Sequence, residues 1–252
     1  MTASTPPREN KHIGIVACSA EGASLCYRTI CVEGAQVLGE HDHPEVSMHT
    51  YSLAEYMRPI YRGDWTEVGA MMLRSAGKLK AIGAEFAICP DNTIHQGLDL
   101  VREQSPLPWL HIAEEVAAEA GRCGYRRVAL TGTRYLMEGP VYPPKFAAAG
   151  IELLIPGEEE RKQINRIIFD ELVYGRFTAD SLTYLQHVIQ RMAREGCDAA
   201  ALCCTELPLL VTPETSPLPT LDSTRLLARA ALRYATDVSV ASLQTARLPR
   251  DG

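Results

Sequence analysis

The feature that most constrains this chain is a series of six short runs, each ending in small or polar residues and most separated by a segment with helical spacing. HIGIVAC (12–18), VSMHTYSL (46–53), EFAIC (85–89), RRVALT (126–131), ELLI (152–155) and DAAALC (198–203) read as strands. Most are continuously apolar rather than alternating, as strands buried on both faces of a parallel sheet are. Between them, residues 24–38 read as a helix. Val68, Met72, Ala76 and Leu79 share one face of another helix, which Thr66 can cap and Gly83 can close. Ile164, Ile167, Ile168 and Leu172 form a stripe ending at Gly175, and Leu182, Leu185, Val188, Ile189 and Met192 form one ending at Gly196. Strands alternating with helices specify βαβ units, so the predicted fold class is α/β with parallel sheet.

In such sheets ligands sit beyond the carboxyl ends of the strands. The informative residues are therefore Ser19, Asp91, Asn92, Thr93, Thr131, Gly132, Thr133, Cys204, Thr205 and Glu206. AEFAICPDNT and DAAALCCTE share a plan, an apolar strand followed by a reactive residue and a threonine, and lie nearly half the chain apart. This predicts two pseudo-symmetric domains, each a short parallel sheet flanked by helices, with the active site in the cleft between them. Residues 12–111 with 214–252 would form the first and 112–213 the second, after a flexible tail at 1–11.

The 252 residues are 46% hydrophobic and 22% charged with a net charge of −6, which fits a globular protein and argues against a nucleic-acid partner. No run approaches the roughly 18 uncharged apolar residues of a membrane span. The opening MTASTPPRENK lacks the apolar core of a signal peptide, so a cytoplasmic location is expected. The eight cysteines include no C-x-x-C pair and are expected to be reduced thiols.

Cys204 stands where a helix should start, and a helix dipole there lowers a thiol pKa. Such a cysteine is alternatively a buried core residue, the role expected of Cys203. Asn92 and Thr93 can present an amide and a hydroxyl to a carboxylate, or simply cap a helix. Thr131, Gly132 and Thr133 can hold an anion through backbone N–H groups. Ser19, Glu21 and Gly22 do not make a dinucleotide fingerprint, and no Walker motif occurs. His41, Asp42, His43 and His49 match no standard zinc spacing. No cofactor and no metal are expected.

The same segments, in order, resemble the aspartate/glutamate racemase superfamily, and more closely its amino-acid racemase branch. IGIVACSAEGASLCYRTI resembles the opening Gly-Gly-Met-Ser-Trp-Glu-Ser-Thr segment, and AEFAICPDNTIHQ the first catalytic loop. PLPWLHIAE resembles the Pro-Leu-x-His-Ile segment, ALTGTRYLMEG the Gly-Thr-x-x-Thr-Met loop, and GCDAAALCCTELPLLV the second catalytic loop. The resemblance covers about residues 12–235. It implies cofactor-independent isomerase chemistry in a homo-oligomer, a dimer in the first instance, acting on a small-molecule carboxylate. Cys204 matches the second catalytic cysteine. Asp91 stands where the first would be, just before Asn92 and Thr93. Asn92, Thr93, Thr133 and Thr205 match positions that hold the α-carboxylate, and Ser19, Thr131 and Glu206 complete the expected binding set. The Arg after the second strand and the Lys near the EEL segment, present in acidic-substrate members, are absent: Val173 and Tyr174 stand in the latter neighbourhood.

The leading expectation is a two-base racemase or epimerase with Asp91 and Cys204 on opposite faces of the substrate α-carbon. The alternatives are a decarboxylase or isomerase using Cys204 alone, and a binding protein for a small carboxylate without turnover.

Overall fold

The computed structural model describes residues 10–237, so residues 1–9 of the expected tail and 238–252 of the expected first domain lie outside the described residues. Lys11, the last residue of that tail, is tied down: its N–H donates to the Ala235 carbonyl at 3.0 Å.

The first half runs β1 (Ile13–Ala17), α1 (Ala20–Leu38), β2 (Val46–Thr50), α2 (Leu53–Arg62), α3 (Trp65–Ala81), β3 (Phe86–Ile88), α4 (His95–Val101) and α5 (Ile112–Arg122). The second runs β4 (Arg127–Gly132), α6 (Arg134–Met137), α7 (Pro143–Ala148), β5 (Glu152–Leu154), α8 (Glu158–Arg166), α9 (Ala179–Arg194), β6 (Ala199–Cys203), α10 (Leu207–Leu210), β7 (Thr220–Asp222) and α11 (Ser223–Thr236). The strands form a three-stranded sheet in the order β2-β1-β3 and a four-stranded sheet in the order β5-β4-β6-β7. Every pairing is parallel. This is the α/β architecture expected from the alternating runs.

The apolar runs are buried on both faces because each sheet is covered on both sides. In β1, Ile13, Ile15 and Ala17 pack with α1 and α11, while Val16, and Cys18 just after the strand, turn toward α2 and α3. In β6, Ala199, Ala201 and Cys203 face one core, and Ala200 and Leu202, with Cys204 just after the strand, the other. Each fully buried isoleucine contributes roughly 1.5–3 kcal/mol. The alternation matters for the site: it sends Cys203 into one core, as expected of it, and directs Cys204 to the opposite side.

Three local expectations are corrected. The helix over 65–81 is capped by Asp64, whose carboxylate accepts from the Glu67 N–H at 3.1 Å, and Thr66 lies inside it. The second strand stops at Thr50, because Ser52 opens α2, with the Glu55 carboxylate accepting from its N–H and its hydroxyl. The stripe over 164–172 is buried as its spacing required, but it is not one helix. α8 gives way to a π-helical turn at Ile167–Glu171 and a 3-10 turn at Leu172–Tyr174.

The segment from 214 is divided between the halves rather than returning whole to the first. β7 pairs with β6 in the second sheet, whereas Leu227, Ala228, Ala231 and Leu232 of α11 pack with Ile13 and Ile15. The switch occurs at Asp222, which ends β7 and caps α11 by accepting from the N–H groups of Thr224 and Arg225. One glycine sets the approach between the halves. A Cβ at Gly22, in the first turn of α1, would lie 2.4 Å from Thr205 Cγ2 and 2.8 Å from the Pro90 carbonyl. Its absence lets α1 close directly onto the loops after β3 and β6.

Candidate active site

The loops after β1, β3, β4 and β6 converge on one cavity that is partly open to solvent. Each loop delivers residues that the strand-end rule singled out. Ser19 follows β1, Asp91, Asn92 and Thr93 follow β3, Thr133 follows β4, and Cys204, Thr205 and Glu206 follow β6; all line the cavity. Thr131 does not. It lies within β4, buried, and its hydroxyl donates to the Ala201 carbonyl of the neighbouring strand at 2.9 Å. A threonine inside a ladder satisfies its hydroxyl on the next strand and has nothing left for the cleft.

Asp91 and Cys204 enter this cavity from different sheets. The Asp91 carboxylate accepts from the Ile94 N–H at 3.1 Å. Burial raises its pKa from 3.8 to about 6; the Glu206 charge adds to the rise, while the Ile94 and Thr93 N–H groups and the Cys18 thiol hold it back. The loop that carries it is fixed by His95, whose Nδ1 lies 2.6 Å from the Asp91 carbonyl and whose Nε2 accepts from the Ile112 N–H at 3.4 Å. Those partners require the neutral imidazole with the proton on Nδ1. Burial, and then the neighbouring His111, lower its pKa well below the ordinary value.

Cys204 corrects the expectation of an activated thiol. α10 is a single turn, too short for a dipole to dominate, and it begins after Glu206 rather than at the cysteine. The Cys204 thiol donates to Glu206 Oε2 at 2.9 Å. Burial first, then the charge and hydrogen bond of Glu206, raise its pKa well above the ordinary value. Cys204 is therefore held as a protonated thiol in the same cavity as Asp91, whose pKa of about 6 leaves its carboxylate mostly ionised at neutral pH.

A hydrogen-bonded chain ties the loops together. Ser19 Oγ lies 3.2 Å from Thr205 Oγ1, and Thr205 Oγ1 donates to Glu206 Oε2 at 2.8 Å. Because the Thr205 proton is committed to Glu206, Ser19 donates to Thr205 Oγ1 while accepting from the Gly22 N–H at 3.2 Å. In this arrangement neither Ser19 nor Thr205 has a free hydroxyl proton for a ligand; both serve to hold Glu206. Thr93 Oγ1 lies 2.9 Å from Thr133 Oγ1, and Thr133 Oγ1 also accepts from the Leu136 N–H at 3.2 Å. Between them, Thr93 and Thr133 keep one O–H to spare. Asn92 is clamped: Tyr142 donates to its Oδ1 at 2.6 Å, and its Nδ2 donates to Ser223 Oγ at 3.0 Å. One amide N–H of Asn92 remains.

Several contributors were not found from the sequence. Cys18 lines the cavity, and its buried thiol is raised in pKa by burial and then by the charge of Asp91. Its signal was present, since it is the last residue of the first run, immediately before Ser19. Tyr142, which clamps Asn92, lies in a segment with no distinguishing spacing, and Ser223, the other partner of Asn92, directly follows the short strand β7.

The family model for Asp/Glu/hydantoin racemases matches residues 13–231. The chain belongs to that family. Its racemase relatives make it an isomerase. It is 24% identical over 195 residues to the broad specificity amino-acid racemase RacX of Bacillus subtilis (strain 168), across 76% of this chain and 82% of RacX. Among solved structures, it is similar to a candidate Asp/Glu racemase from Yersinia pestis, with 30% identity and a TM-score of 0.82 over 89% of this chain and 99% of that one. An aspartate racemase homologue from Pyrococcus horikoshii OT3 shares 27% identity with a TM-score of 0.75, over 90% of this chain and 99% of that one. None of the helices among the described residues is long and apolar enough to cross a membrane.

The Glu206 contact yields a prediction. Since Glu206 raises the Cys204 pKa, Glu206→Gln lowers it, and alkylation of Cys204 by iodoacetamide, followed by peptide mass against pH, should reach half-maximal rate at lower pH. An unmoved midpoint would show that burial alone sets this thiol.

Proposed function

We propose that the protein racemises an amino acid without a cofactor, with Asp91 and Cys204 as the two proton-transferring groups. The observation that carries this reading is their placement in one cavity on loops from different sheets, in complementary protonation states. A racemase must remove a proton from one face of the α-carbon and return one to the other, so it needs an ionised base and a protonated acid together. At neutral pH Asp91 supplies the carboxylate and Cys204 the thiol. Turnover in the opposite sense uses the reverse pair, Asp91 protonated and Cys204 as thiolate. The equilibrium constant between enantiomers is unity, so kcat/KM is the same in both directions, and the unequal pKa values appear only in kcat and KM separately.

The remaining N–H of Asn92 and the spare O–H of Thr93 and Thr133 are suited to the α-carboxylate. Donors there stabilise the negative charge that spreads onto it when the α-proton leaves. Glu206 supplies a charge for the substrate ammonium and holds the Cys204 thiol in place. Leu53, after β2, and Val173, after Asp170, Glu171 and Leu172, line the cavity, and among the described residues no lysine, arginine or histidine lines it. A side-chain carboxylate would meet Asp91 and Glu206 with no cation to offset them, a cost of several kcal/mol that excludes aspartate and glutamate as preferred substrates.

The test is incubation of a single enantiomer of a neutral amino acid, followed by chiral chromatography. Appearance of the opposite enantiomer until the two are equal is the expected result. Release of CO₂, or tight binding without either change, would replace this reading with decarboxylation or with binding alone.

A further inference from the structure

The cavity has two chemically distinct walls. Its polar side comes from the strand-end loops described above. The other side comes from α2 and from the turns that follow α8. Leu53, Met57 and Ile60 stand at i, i+4 and i+7 of α2 and so share one face. Ile168 and Phe169 reach the cavity from the π-helical turn, and Val173 from the 3-10 turn after it. A π turn widens the helix by one residue and re-aims its side chains, and such turns recur at functional sites. Here the re-aiming is visible, because Ile168 and Phe169 are adjacent in sequence and both line the cavity.

These residues form more than an ordinary core. Leu53, Met57, Phe169 and Val173 also line a second, outer hollow, which extends to Arg58, Tyr61 and Tyr174. The apolar wall is thus continuous from the reacting end of the cavity to the surface. Tyr61 and Tyr174 are 69% and 73% exposed, so the outer end is open. A side chain too long for the inner cavity has an apolar path outward between α2 and the 3-10 turn. A cationic side chain following that path would meet Arg58, and an anionic one would first pass Asp91 and Glu206.

We infer that this wall is the side-chain subsite of the enzyme and that the substrate is an amino acid with a large, uncharged apolar side chain, of leucine, methionine or phenylalanine size. The inference rests on the racemase reading for the α-carbon end and adds the identity of the group beyond it. An apolar side chain gains its transfer free energy on entering such a pocket, whereas alanine leaves the wall unfilled and a charged side chain loses hydration without a partner.

The experiment measures initial rates of α-deuterium uptake in D₂O for alanine, leucine, methionine, phenylalanine, aspartate and lysine. In parallel, it measures the rise in melting temperature that each gives the wild-type protein. Leucine, methionine or phenylalanine should exceed alanine by about 10-fold to 100-fold in kcat/KM, with aspartate and lysine below alanine. Alanine, aspartate or lysine as the fastest substrate would overturn the inference and leave the racemase reading intact. If no amino acid exchanges its α-proton, the racemase reading fails and the melting series decides the subsite. Greater stabilisation by the large apolar amino acids upholds it, and a flat or aspartate-led series overturns it. Met57→Arg, on the half-buried face of α2, should bring the leucine-to-aspartate ratio down by at least about 10-fold. An unchanged ratio in a variant with wild-type melting would show that this wall does not touch the side chain.

Discussion

Cys204→Ser is expected to reduce racemisation by about 10³-fold or more while the protein stays folded. General acid–base groups contribute on the order of 10²–10⁴-fold each. Serine retains the size of cysteine and can still donate to Glu206, which the thiol reaches at 2.9 Å. What it loses is acidity: a serine hydroxyl gives up its proton far less readily than a thiol, even one whose pKa burial has already raised. Circular dichroism and urea melts alongside the rate separate the outcomes. An unfolded variant assigns Cys204 to the core that contains Leu207 and Leu210, and full activity removes it from the reaction.

Asp91→Asn should abolish turnover and at the same time stabilise the fold. The Asp91 pKa rises from 3.8 to about 6 on folding. Between those values the folded state holds the proton more tightly than the unfolded chain, so the associated stability is complete below about pH 4 and is lost as pH rises through 6. At pH 8 the ionised, half-buried carboxylate costs about 2–3 kcal/mol, because each tenfold change in proton affinity is worth about 1.36 kcal/mol. Asparagine removes the charge and can still accept from the Ile94 N–H. Urea unfolding should therefore show the variant more stable than wild type at pH 8, with the gap closing as pH falls toward 4. A variant that is less stable at pH 8 would mean that the carboxylate is favourably paired and cannot be a poised base.

The fold was legible because its signals are local. A parallel strand buried on both faces must be apolar throughout, and HIGIVAC and DAAALC could be little else. The strand-end rule then delivered the polar side of the cavity: Ser19, Asp91, Asn92, Thr93, Thr133, Cys204, Thr205 and Glu206 all line it. Thr131 failed because β4 runs one residue past the expected strand end, to Gly132, which places Thr131 inside the ladder rather than at its edge. The charge state of Cys204 was misjudged for a different reason. Its pKa depends on burial and on the distance to Glu206, neither of which spacing along the chain can fix. The apolar wall was invisible in the same way. Leu53 read as the end of a strand and Ile168 as part of a continuous helical stripe, and only the turn from strand to α2 and the π-helical turn bring them to the same cavity.

The central claim is that two groups, one on each side of the α-carbon, carry the proton. Inversion of a single enantiomer in D₂O, with deuterium content followed separately in substrate and product from the first turnovers, tests it directly. Two bases that do not share a proton give a product that is deuterated from its first appearance while the remaining substrate keeps its protium. Deuterium entering unreacted substrate as fast as product would show a single group working on both faces, and the pairing of Asp91 with Cys204 would be wrong.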